Sequence, residues 1–211
     1  MFRPVILVRL VLWLWFLGSV YVGHTLALQR LSPSVLPIVV LGCTLCALYP
    51  YFRFSSVRTW VDGLDLRVML QIHIVRFFGV FLLVSWRQGE LPYAFAVPVG
   101  LGDILMALGA LFLIIAPLNK VRWRQLLTIW NVAGSLGLIL SVYIATTAGA
   151  VAPFQLRALT RLPLSLSLTF FIPLLFATHV IIFVTGGVKC SHDGRGQMQP
   201  PRVGSLVMKE G

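Results

Sequence analysis

The sequence predicts an all-α protein: a six-helix transmembrane bundle with both termini in the cytoplasm. Three observations predict it. Of 211 residues, 58% are hydrophobic and only 11% are charged, against about 25% charged in a soluble domain. The apolar residues gather in six runs, each near the ~20 residues a helix needs to cross hydrocarbon. The Lys and Arg residues lie between those runs and favour one side. Such a chain cannot cover a globular surface with charge. That excludes soluble enzymes, disordered chains and secreted disulfide scaffolds.

The first run is Leu10–Leu28. Arg3 and Arg9 precede it, and Thr25-Leu26-Ala27 has the small residues of a signal cleavage site. The run continues to Leu28, longer than a signal core, so it reads as an uncleaved helix. The second run, Val35–Phe52, holds Cys43 and Cys46 at redox spacing. Inside an apolar helix such thiols behave as small hydrophobes. The third, Leu66–Trp86, is joined to the fourth, Leu91–Pro117, by the tight turn Arg87–Glu90. The fifth is Gln125–Thr147 and the sixth Pro163–Gly186. Residues 1–186 are thus one transmembrane bundle. Residues 187–211 are rich in Gly, Pro and charge and read as a disordered cytoplasmic tail. Cys190, His192 and Asp193 in that tail lack a fourth metal ligand. No cofactor or metal is expected.

The formal charge of +11 would suggest nucleic acid in a soluble protein. Here no extended basic face with interleaved aromatics exists to hold phosphates, so no nucleic-acid partner is expected. With the N-terminus inside, twelve of the seventeen Lys and Arg fall in inner segments, four fall in outer ones, and Arg76 lies within a span. This bias orients both termini to the cytoplasm. The expected setting is a plasma membrane, with membrane lipids as partners and an oligomer open.

Within the spans, polar residues carry the information, because an ionisable group in hydrocarbon costs at least about 2.5–3.5 kcal/mol. The third span holds Gln71, His73 and Arg76. His73 and Arg76, three apart, share a helix face. Gln71 lies about 140° round from Arg76. Asp103 in the fourth span is the only acidic residue deep in any run, and Arg76 the only deep Arg. Counted from the turn, both lie roughly 18–21 Å deep at 1.5 Å per residue. The two should therefore meet. Pro98, Gly100 and Gly102 precede Asp103. Either they kink the helix and free backbone groups to line a cavity, or they serve packing. Asn131 sits on a stripe with Gly134, Ser135 and Ser141 in the fifth span, and His179 lies in the sixth. Asn131 and His179 fall at one depth. The candidate cluster is therefore Gln71, His73, Arg76, Asp103, Asn131 and His179.

The pattern Gln71-x4-Arg76-x2-Gly79, then Gly89-x-Leu91-Pro92-x2-Phe95-Ala96-x-Pro98-x-Gly100-x-Gly102-Asp103, resembles a group of small, uncharacterised bacterial multi-pass membrane proteins. The resemblance covers the third and fourth spans, with Trp130-Asn131 continuing it. It implies a bacterial inner membrane and brings no activity.

Three functions remain open on the residues. One is transport or binding of a small solute, with Arg76 holding an anionic group and Asp103 or His73 carrying a proton. Another is an enzyme acting on a lipid or isoprenoid. The third is a structural or assembly subunit whose polar residues fix helix packing. A water-filled cavity at Asp103 would favour the first, a lateral opening the second, and a dry, fully paired cluster the third.

Overall fold

The computed structural model describes residues 4–151 and 153–196. Among these every element is helical and none is a strand. The helices are α1 (Pro4–His24), α2 (Leu36–Arg53), α3 (Ser55–Asp62), α4 (Leu66–Ile72), α5 (Gly79–Arg87), α6 (Tyr93–Ile115), α7 (Lys120–Val151) and α8 (Ile172–Gly196). A 3-10 stretch, His73–Phe78, joins α4 to α5, so the three form one span, Leu66–Arg87. Six helical segments among the described residues are long and apolar enough to cross a membrane. This is compatible with a multi-pass membrane protein.

The six apolar runs each became a span, with shifts at the ends that have physical causes. α1 starts at Pro4, so Arg9 is inside the helix, on an exposed face. A long Arg side chain can carry its charge outward from there. α7 starts at Lys120 rather than Gln125. Asn119 caps it, its side chain accepting the Arg122 amide at 2.9 Å. α8 runs on to Gly196, into the segment read as a tail. Residues 197–211 of that tail lie outside the described residues.

Two glycines set the register between α5 and α6. A Cβ on Gly79 would lie 2.6 Å from the Gly100 carbonyl oxygen, and one on Gly100 would lie 2.8 Å from the Gly79 oxygen. Only bare Cα atoms allow this approach. Arg76 stands three residues before Gly79 and Asp103 three after Gly100. In antiparallel helices that places the two side chains together. The connecting turn closes at Gly89, whose φ of +76° suits glycine. The amides of Glu90 and Leu91 both return to the Ser85 carbonyl.

The spans are not equally held. Half of the most apolar stretch of the last span is buried, against 6% of that of α1. α1 packs on α3 and on the segment before α8. That segment, Ser167–Phe171, is a π turn followed by Pro173. Pro173 has no N–H to offer the Thr169 carbonyl four residues earlier. Two donors from one face of α1 reach that carbonyl instead. The Trp15 indole N–H lies at 2.9 Å and the Ser19 hydroxyl at 3.3 Å. One turn further on, Gly23 is bare where the Ser165 hydroxyl approaches.

Candidate functional site

The polar residues come together from four segments, as the interior of a helical bundle requires. The 3-10 stretch eclipses residues three apart, so His73 and Arg76 project in line, and both are buried. Arg76 Nε donates to Asp103 Oδ1 at 3.0 Å, the contact expected from their depths. Arg76 Nη2 donates to the Gly134 carbonyl of α7 at 3.3 Å. The guanidinium thus ties three spans to one point.

A second network lies beside the first. Asn131 Nδ2 donates to the His179 carbonyl at 3.1 Å, which fixes the amide's orientation. Its Oδ1 then accepts from His179 Nδ1–H at 2.6 Å. The Thr178 hydroxyl donates to the Leu175 carbonyl at 2.8 Å and therefore accepts from His73 Nε2–H at 3.1 Å. The rings of His73 and His179 are 4.4 Å apart. The Trp130 indole closes the group, 4.8 Å from His73 and 5.2 Å from His179. Its own N–H donates to the Met106 carbonyl at 3.0 Å. Gly109 makes room for that indole, since a Cβ there would meet Trp130 Cδ1 at 2.7 Å.

Three nitrogen atoms in this region are buried and have no hydrogen-bond partner among the described residues: His73 Nδ1, Arg76 Nη1 and His179 Nε2. Two of them face one bare Cα. A Cβ on Gly134 would lie 2.8 Å from His179 Nε2 and 3.2 Å from Arg76 Nη1. Gly134 is therefore the clearance for both side chains.

The space around the two networks differs. Arg76 and Asp103 line a small cavity of about 40 Å³ with Ser141, Ser167 and apolar side chains. That is room for roughly two or three waters. The same two residues, with Ser141, also form the floor of a groove of about 190 Å³ between α6 and α7. Pro98, Gly102 and Gly137 line its walls. Leu105 and Leu140 on its rim are more than half exposed, so the groove opens sideways on the outer surface of the bundle. α6 is continuous through Pro98. Neither space is lined by His73, His179 or Asn131.

Five of the six residues grouped from the sequence thus lie in two adjoining networks. Gln71 does not join them. It is exposed, because its angular offset from Arg76 turns it to the outside of the span. The sequence reading gave no role to Trp130, although an indole next to Asn131 in a stripe of small residues was the available signal.

A family model described as a domain of unknown function (DUF8737) matches residues 31–185. The match takes in every residue of both networks. It fits the resemblance to an uncharacterised group. No curated protein and no solved structure gives a match.

Proposed function

This chain belongs to the DUF8737 family, and from that premise we propose a small-solute transport or binding protein working at the Arg76–Asp103 pair. One observation carries the reading: the pair stands between two separate spaces, an inner cavity and a lateral groove. A carrier needs a polar group that can be met from two sides. Asp103 is the group that would exchange a proton or release Arg76 to an anionic solute. Only part of the Arg76 guanidinium is engaged, since Nη1 has no partner. The proposed setting is a bacterial inner membrane, as the resemblance of the third and fourth spans implies, and the distribution of Lys and Arg supports cytoplasmic placement of both termini.

A second reading is favoured by the groove's sideways opening, which is what an enzyme acting on a lipid would use. The test separates them. Proteoliposomes loaded with a pH-sensitive dye should show proton flux after a pH jump with the natural chain and none with Asp103→Asn. Equal flux in both, or none above empty vesicles, would sink the transport reading.

A further inference from the structure

A second site lies away from the ion pair. Between α1, α2, α3 and α8 runs a crevice of about 720 Å³, within the ~300–1,000 Å³ typical of ligand pockets. Its walls include Val11 and Trp15 of α1, Gly42 and Ala47 of α2, Trp60 of α3 and Thr178 of α8. It exists because α1 is fastened at Trp15, Ser19 and Gly23, and otherwise stands off from α2. Along α2 the lining runs from Val39 to Tyr51. Those twelve steps span roughly 18 Å at 1.5 Å per residue. That is close to half of the ~30 Å hydrocarbon core, the depth of one leaflet.

The mouth of the crevice is not apolar. Tyr51 lines it, and the Arg58 guanidinium carbon lies 6.0 Å from the centre of that ring. The Tyr51 hydroxyl donates to Asp62 Oδ1 at 2.9 Å, and Arg58 pairs loosely with Asp62 at 3.7 Å. Exposed Arg53 ends α2, five residues before Arg58 in the chain. Two arginines against one carboxylate leave the rim positive, at the end where α3 lies across the helix ends. α3 buries Val57 and Val61 and exposes Ser55, Arg58 and Thr59, as a helix at a membrane surface does.

We propose that this crevice binds one acyl chain of an anionic phospholipid, with the phosphate at the rim formed by Arg53 and Arg58. The apolar length takes the chain and the positive rim takes the headgroup. The site is independent of the Arg76–Asp103 reading and stands or falls alone.

The test uses the full chain purified in dodecyl maltoside micelles carrying equimolar phosphatidylglycerol and phosphatidylcholine. Native mass spectrometry should show one retained phosphatidylglycerol. Arg58→Gln should cut the preference over phosphatidylcholine roughly fivefold, the factor expected for one basic residue near a lipid surface. Gly42→Trp should abolish retention. A Cβ at Gly42 meets nothing within 4 Å, so the indole would enter the crevice. Ile139→Trp, on an exposed face of α7, should leave retention unchanged. A second measurement needs only the conservative crevice variant Trp60→Phe to fold. Phosphatidylglycerol brominated in mid-chain should quench the fluorescence lost in Trp60→Phe at a lower mole fraction than brominated phosphatidylcholine. Retention unaltered by Gly42→Trp, or equal quenching by the two lipids, would overturn the proposal.

Discussion

The two polar networks touch, yet they are built on different terms. The Asn131–His179 and Thr178–His73 bonds form a dry group packed around Trp130. The Arg76–Asp103 pair has space on both sides. Hydrogen bonds between neutral groups inside a membrane bundle are adequate as glue, each of modest worth. A full ion pair is a poor choice for glue, because desolvating both charges can cancel their attraction. Packing accounts for the bonds of the dry group, though His73 Nδ1 and His179 Nε2 stay unpaired within it, whereas the proposed transport reading rests on the pair and the space around it.

The largest effect that would sharpen this contrast is loss of one charge. Arg76→Ala or Asp103→Ala strands the other charge and should cost roughly 3–5 kcal/mol. The amount of monodisperse protein recovered in detergent reads it. The double variant should recover part of the loss, and purely additive losses would deny the coupling. In the dry group, Gly134→Ala should cost about 1–3 kcal/mol by overpacking, since the new Cβ would fall 2.5 Å from His179 Cε1. Asn131→Ala should cost a similar amount by leaving a buried imidazole N–H unpaired. Thermal unfolding should show both changes, with proton flux per folded molecule unaltered in Asn131→Ala. A flux change in Asn131→Ala would extend the functional site into the dry group and break the comparison. The smallest effect on stability is the most discriminating. Gly102→Cys adds a side chain where a Cβ meets nothing within 4 Å, and should shift stability by less than about 0.5 kcal/mol. In a background without the natural cysteines it should react with a small maleimide. A thiol at Gly134 should not.

The depth of a charge in a span was legible because helical rise is constant. Arg76 and Asp103 could be matched across the turn by counting, and so could Asn131 and His179. Angular position was also legible in part: Gln71 was already out of line with Arg76. The close approach of Gly79 to Gly100 was harder to read, because glycines in membrane helices serve packing, kinks and cavities alike. Gly100 proved to be packing, and Gly102, two residues on, proved to be groove wall. Helix ends set by capping and exposed charge, such as Asn119 before α7, escaped a reading based on apolar runs.

The carbonyl of Thr169 has a consequence for biogenesis. Its donors sit on α1, 154 residues earlier for Trp15 and 150 for Ser19. In a multi-pass membrane protein, with which the six apolar helices are compatible, α1 would enter the bilayer first and α8 last. Until the final span arrives, the Trp15 indole and Ser19 hydroxyl have no such acceptor, and the bundle cannot close. The Pro173 gap is thus a latch that joins the first span to the last. It makes completion of the chain a condition for seating α1, so a Ser19→Cys thiol, at a position buried in the complete chain, should react with a small maleimide in a ribosome-stalled chain ending after α7.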